Sequence, residues 1–273
     1  MRDQKQIPKN MKKLLLLFCA FTLVFTSCSS DENSSSEDKS ILPKTISYIY
    51  PSVYLGTNTK NTLTYDGNKI VSSVSQISKV NFTYTGNFIT KQQLFDVDSK
   101  GLETKDMEAE YTYENGKLKT RITRESFTTK YPNGQYIGKT VYTHVSNNLI
   151  SYIDYKVDPD TKNETKISEG SFTYKDGNLI EDKNVRGVVT STRTYEYDTK
   201  NNPLKNILGL DLLLKETEIS NNNILKIKRV DSDLPNSSVY LTSYIYNDKG
   251  FPTKQTSLAG DGKTVEYEIE YTY

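Results

Sequence analysis

One short pattern recurs along this chain and constrains its fold more than any other feature. An aromatic or aliphatic residue, a spacer and a Tyr are followed by a polar turn and then an apolar residue. The pattern reads Leu63-Thr64-Tyr65-Asp66-Gly67-Asn68-Lys69-Ile70, and again Phe82-Thr83-Tyr84-Thr85-Gly86-Asn87-Phe88-Ile89. Further copies run from Tyr111 to Leu118 and from Phe172 to Leu179, with looser ones at Tyr195–Leu204 and Tyr244–Phe251. Tyr48-Ile49-Tyr50 opens the series and Tyr271-Thr272-Tyr273 closes it.

Each copy is a β-hairpin in miniature. Residues two apart point to the same side of a strand. The Asp-Gly, Thr-Gly or Asn-Gly that follows supplies the positive φ of a tight hairpin turn. Most consecutive units lie about 19 to 31 residues apart, room for two strands and their connections. Eight or so units therefore predict about sixteen antiparallel strands in a meander. The final strand shows the alternation most clearly. Val265, Tyr267, Ile269, Tyr271 and Tyr273 share one face, and Thr264, Glu266, Glu268, Glu270 and Thr272 share the other. One face is expected to be buried and the other wet.

The aromatic content is unusual, with 21 Tyr against 9 Phe and no Trp. Burying so many phenols brings hydroxyls inside that need partners. That predicts a core edge or a cavity reached by water. Tyr65, Tyr84, Tyr113, Tyr174, Tyr197 and Tyr246 are the expected binding-face aromatics of such a concave surface.

The Tyr-x-Tyr-Asp/Asn-x-x-Gly pattern resembles the YD repeats of RHS-type proteins. Taken with the leader and tether described below, the layout is similar to Bacteroidota lipoproteins of unknown function with a porin-like fold. The resemblance covers residues 45–273 and implies a strongly curved or closed antiparallel sheet of hairpins. RHS repeats build large shells around toxins; this chain has too few units for that, so encapsulation is not carried over.

One stretch breaks the pattern. Residues 201–214 form the most apolar part of the chain beyond the leader, and Pro203 is compatible with the first turn of a helix. Leu204, Ile207 and Leu208 fall at helical spacing and predict a short helix that plugs one end of the curved sheet. The expected fold is all-β: an antiparallel meander of Tyr-rich hairpins forming a strongly curved or barrel-like sheet, with one short helical plug.

The amino-terminal segment reads as an export signal. Lys12 and Lys13 precede an apolar run from Leu14 to Phe25, and Thr26-Ser27-Cys28 follows. The run is too short to span a hydrocarbon core of ~30 Å as a helix. Residues 1–27 are expected to be a lipoprotein signal peptide, with Cys28 as the lipidated residue. Met11 is the more natural start, which would make residues 1–10 an artefact of start-site choice. Residues 28–44 are expected to form the lipidated cysteine and an acidic flexible tether, because Ser29–Asp38 contains no apolar residue to bury. Residues 45–273 form the expected repeat domain.

Removing the leader leaves 30 basic against 33 acidic residues and no basic block, so nucleic acid is a poor partner. Cys19 leaves with the leader. Cys28 is then the one remaining thiol and is used by the lipid, which excludes a disulfide, a zinc cluster or a cysteine nucleophile.

Other candidate chemistry is sparse. His144, the only histidine, stands where other units place Tyr and reads as a repeat position filled by another ring. Asp96-Val97-Asp98 begins like a calcium loop, but Lys100 and Met107 occupy ligand positions. Asp158-Pro159-Asp160 and Asp231-Ser232-Asp233 are equally loop-like. Glu266, Glu268 and Glu270 have the spacing of a glycosidase pair and equally that of a wetted strand face. No catalytic residue, metal or cofactor is expected.

The expectation is a non-catalytic binding or structural lipoprotein, a monomer held at the outer membrane and displayed on the extracellular face. Its partners would be the membrane, through the anchor, and a glycan, peptide or envelope protein. The alternative is an integral outer-membrane barrel, suggested by the terminal Tyr273 with alternating apolar residues before it. A hydrolase comes third.

Overall fold

A computed structural model describes residues 41–51, 56–214 and 220–273 of the chain. Cys28 and the leader lie outside the described residues. The first four strands are β1 (Thr45–Ile49), β2 (Thr59–Asp66), β3 (Lys69–Val74) and β4 (Ser78–Thr85). Then come β5 (Phe88–Val97), β6 (Glu103–Glu114), β7 (Lys117–Glu125) and β8 (Tyr136–His144). They are followed by β9 (Leu149–Val157), β10 (Glu164–Lys175), β11 (Asn178–Arg186) and β12 (Val189–Tyr197). The last are β13 (Ile224–Asp231), β14 (Ser238–Tyr246), β15 (Pro252–Leu258) and β16 (Val265–Thr272).

All sixteen strands pair antiparallel with their sequence neighbours, and β1 pairs with β16 to close a barrel. Closure leaves no exposed sheet edge. The expected curved or barrel-like meander is thus a complete cylinder. The hairpins predicted from the repeat are β2–β3, β4–β5, β6–β7, β10–β11 and β14–β15. At the turn between β6 and β7, Asn115 and Gly116 have φ of 52° and 75°, the paired left-handed geometry of a two-residue hairpin turn.

Six copies of the motif carry a feature that alternation alone does not reveal. The strand register slips between Thr64 and Tyr65, Thr83 and Tyr84, Thr112 and Tyr113, and Thr173 and Tyr174. It slips again between Glu196 and Tyr197, and between Ile245 and Tyr246. In these six units the extra residue lies on the partner strand, at Val71, Thr90, Lys119, Ile180, Leu225 and Thr253, so a β-bulge sits opposite the second ring. Bulges bend a strand and increase its twist, which is what a sheet needs to close.

The strand faces divide cleanly. Leu63, Ile70, Ile89, Leu118, Tyr142, Ile150, Phe172, Leu179 and Tyr195 point inward and are buried. In the final strand Ile269 and Tyr271 are buried, while Glu270 and Thr272 are exposed, as the alternation predicts. Much of the outer wall is hydroxylic and ionic. Thr45 meets Thr272 at 2.8 Å, Thr64 meets Ser72 at 2.7 Å and Thr112 meets Thr120 at 2.6 Å. Ion pairs join Lys79 to Glu103 at 2.9 Å, Lys139 to Glu164 at 2.7 Å and Lys226 to Glu196 at 2.7 Å. Lys254 and Glu268 meet at 2.7 Å on the opposite side of the circuit.

The plug is present, but not as an α-helix. Ile207 N–H donates to Leu204 O, Leu210 N–H to Ile207 O and Leu213 N–H to Leu210 O. These i to i+3 bonds are 3-10 geometry, which stacks every third side chain. The buried stripe is therefore Ile207, Leu210 and Leu213, with Leu204 packed alongside, rather than Leu204, Ile207 and Leu208. Leu208 instead gives its backbone to the barrel rim, its N–H to Asn68 O and its carbonyl to the Tyr84 hydroxyl.

Residues 41–44, at the end of the expected tether, pack against the same end of the barrel. Pro43 is buried, Leu42 touches the core, and Lys44 N–H donates to Thr272 O at 2.6 Å. The chain thus enters the barrel at its plugged end.

Candidate functional site

The six Tyr singled out in the sequence stand at the register slips, opposite the bulges, and all are half-buried inside the barrel near the plug. Most of their hydroxyls go to the chain itself. Tyr65 donates to Pro43 O at 2.8 Å, Tyr113 to Ile89 O at 2.7 Å and Tyr197 to Leu179 O at 2.7 Å. Tyr84 donates to Leu208 O at 2.9 Å and accepts from Ile70 N–H at 3.2 Å. Tyr246 donates to the Asp198 carboxylate. Burial pushes the Tyr84 and Tyr197 phenols up to about 12 and raises the other four further, so all six remain neutral donors.

The pattern explains Tyr in place of Phe. The residue that turns inward after one hairpin turn, such as Ile89 or Leu179, offers a carbonyl that the ring of the next unit caps. His144 does the same: Nε2 lies 2.9 Å from Leu118 O, so Nε2 carries the proton and donates. The ring-for-ring reading of His144 thus has a physical basis. A ligand at these rings would compete with the bonds that join neighbouring hairpins.

The other candidate positions separate. Asp98 and Asp158 hold their own loops, accepting from Lys100 N–H at 2.8 Å and Thr161 N–H at 2.7 Å. Glu268 pairs with Lys254 on the outer wall. Among the described residues no group of three or more His, Cys, Asp or Glu is arranged to hold a metal. Asp231 and Asp233, which the sequence suggested only as turn formers, belong to a different setting.

That setting is a cavity of about 620 Å3 toward the end of the barrel opposite the plug. It is built by the inward faces of five consecutive strands. Register pairing places Phe172, Asp182, Arg193 and Arg229 in one row across β10 to β13. Gly170, Asn184, Ser191 and Asp231 form the next row toward the opening. Arg186 and Asp233 stand at the mouth. The stacked rings of Tyr152 and Phe172, 4.7 Å apart, make the floor.

The polar groups are interlocked. The Asp182 carboxylate accepts from the Tyr152 hydroxyl at 3.3 Å and from Arg193 at 3.5 Å. Asn184 Nδ2 donates to the Tyr152 hydroxyl at 3.0 Å. Arg229 Nε reaches Asp231 at 2.9 Å. The Ser191 hydroxyl, followed by Arg229, holds the Asp231 carboxyl below the ordinary carboxylate range. Gly170 makes room for this arrangement, because a Cβ there would overlap Lys183 O and meet the Tyr152 hydroxyl at 2.5 Å. Behind the cavity the interior stays polar: Asp154 accepts from Thr140 at 2.6 Å and from Ser168 at 2.8 Å.

Sequence reasoning missed Arg193, Arg229, Asp182 and Asn184. Their one signal was charge on the expected inward face, as in Tyr195 and Arg193 two residues apart.

No protein-family model matches the chain, and no curated protein matches it. Solved structures do. A porin-like protein from Bacteroides vulgatus ATCC 8482 superposes with a TM-score of 0.58 at 15% identity, covering 85% of this chain and 98% of that one. A porin-like protein from Bacteroides uniformis ATCC 8492 gives a TM-score of 0.48 at 11% identity, over 84% of this chain and 97% of that one. The first likeness shows a shared fold.

Proposed function

We propose that this chain is a non-catalytic binding lipoprotein: a closed barrel that stands in water beside an outer membrane and presents a polar lumen site at its unplugged end. The observation that carries this reading is the outer wall. In barrels that cross a bilayer, the outward residues form an apolar band and the lumen is polar. Here Thr, Ser, Lys, Glu and Arg occupy outward positions on strands all round the barrel, and the apolar outward residues such as Val141, Ile153 and Ile245 do not continue across β12, with Thr192, Thr194 and Glu196, or β16, with Glu266, Glu268 and Glu270. On the β5–β7 wall, Glu108 is buried among Lys91, Lys105 and Arg124. A Lys or Arg facing lipid at mid-bilayer costs about 2–4 kcal/mol. β1, β3 and β15, of 5, 6 and 7 residues, are also short for a crossing that needs ~9–11.

Cys28 supplies the membrane attachment in this reading. Residues 41–44 pack at the plugged end, so the segment that would carry lipid on Cys28 joins the barrel at the end away from the cavity. The Bacteroides neighbours and the acidic segment after Cys28 favour the outer membrane and its outer face. The protein acts as a single chain.

A second reading, an integral outer-membrane barrel, is favoured by the sixteen-strand closure and by the porin-like description of the neighbours. Folding without detergent separates the two. The chain lacking residues 1–28 should be a soluble monomer rich in β-structure in plain buffer. Folding only in micelles would favour the integral barrel.

A further inference from the structure

We infer that the lumen cavity binds an acidic sugar, a uronate-type unit whose carboxylate bridges Arg193 and Arg229 while its hydroxyls meet Asp182 and Asn184. The inference deepens the proposed function by naming the ligand class, and it rests on that reading only in needing the mouth open to water.

Arg193 and Arg229 are direct register partners on β12 and β13, and both point inward. Like charges opposite one another on a sheet repel, so the pair is costly unless anions lie between or beside them. Arg229 is neutralised by Asp231 at 2.9 Å. Arg193 is held less tightly: its contact with Asp182 is 3.5 Å, Asp182 is shared with the Tyr152 hydroxyl, and its remaining partners are the neutral Tyr195 hydroxyl and the Asp231 already paired with Arg229. Both guanidinium side chains keep about two-fifths of their surface open, 43% and 41%. Two planar guanidinium forks side by side match a carboxylate, which accepts from both.

The surroundings select what carries that carboxylate. Three Arg and three Asp line the cavity, which is unfavourable for a dianion such as a phosphate monoester and compatible with one negative charge. Asp182, Asn184, Ser191 and Asp233 are small or planar groups suited to vicinal hydroxyls, which both donate and accept. The Tyr152–Phe172 floor suits the apolar face of a sugar ring. The volume of about 620 Å3 lies in the range of ~300–1,000 Å3 that holds small ligands.

The test is calorimetric titration of the full chain with galacturonic acid, its methyl ester, galactose and inorganic sulfate. The expected result is saturable binding of the acid, at least tenfold weaker binding of the ester and neutral sugar, and weakening with added salt. Arg193→Gln should cost at least tenfold and Arg193→Lys less, since charge is kept and the fork lost. Lys139→Gln on the outer wall should change nothing. Far-ultraviolet spectra confirm that each variant is folded. Equal binding of ester and acid, binding of sulfate as tight as the sugar, or no heat from the folded wild type would each overturn the inference. Acid binding by a barrel that folds only in detergent would sink the proposed topology and leave the site standing.

Discussion

Tyr113 donates its hydroxyl to the carbonyl oxygen of Ile89 at 2.7 Å, and in doing so joins one hairpin of the barrel to the one before it. Ile89 has just turned inward after its own hairpin turn, and beyond Lys91–Glu110 the ladder between β5 and β6 has ended. Its carbonyl would otherwise lie unpaired beside the core. Tyr197 with Leu179 and Tyr273 with Pro252 repeat the contact, the latter at 2.8 Å. At Tyr113 and Tyr197 the bulge opposite the ring, the ring itself and the capped carbonyl act as one unit of closure.

Removing a single hydroxyl should therefore be measurable. Tyr113→Phe leaves the carbonyl of the buried Ile89 without its donor, at a cost of about 1 kcal/mol. For a domain of this size that is about 2–4 °C in Tm. Tyr136→Phe, at an exposed ring, should leave Tm unchanged. Equal effects in thermal melts would remove the carbonyl from the explanation.

His144 offers the converse experiment. His144→Tyr keeps a donor within reach of Leu118 O, so Tm should hold or rise. His144→Phe keeps the ring and loses the bond, and Tm should fall by the same few degrees as Tyr113→Phe.

Gly170 is held by contact rather than by backbone conformation. Gly170→Ala drives a methyl into Lys183 O and the Tyr152 hydroxyl. Because Lys183 O belongs to a paired strand and cannot swing aside, the cost should be about 3 kcal/mol. Urea unfolding should show a lower midpoint with an unchanged slope, and the lumen site should weaken with it.

The outer-wall cluster sets an acid limit. Burial alone would raise the Glu108 carboxyl, but hydrogen bonds from Lys105 and Gln93 outweigh it and hold it below its ordinary 4.5. Glu110 is likewise held low, with burial opposed by Arg124 and Lys91. A carboxyl lowered in the folded state stabilises the protein above its unfolded pKa, and that stability is lost as pH falls through the folded value. Tm should decline as pH drops below about 4.5. A Glu108→Gln, Glu110→Gln double variant should start lower at pH 7 and decline less steeply; parallel curves would count against the cluster.

The architecture was largely legible because it is local. Each unit announces its turn by Gly and its faces by alternate residues, and Val265–Tyr273 predicted an inward Tyr271 and an outward Glu270. The bulges were not legible. Ile70-Val71-Ser72 reads as imperfect alternation until the register shows the slip beside it. The plug was placed correctly, but its stripe depended on 3-10 rather than α-helical spacing, which favours Leu210 over Leu208. The lumen site was hidden by topology. Arg193 and Arg229 face each other only because β13 resumes the meander after residues 198–223, and nothing local to either residue says so.

The most direct measurement labels the outer wall in the lipid-anchored protein. Cysteines introduced one at a time at outward strand positions, Thr112→Cys, Ser151→Cys, Thr192→Cys and Thr256→Cys, would carry a polarity-sensitive probe on vesicle-bound protein. The account predicts a water-like signal at all four, each open to a soluble quencher. A lipid-like signal, protected from that quencher and reached by one dissolved in the bilayer, would contradict it.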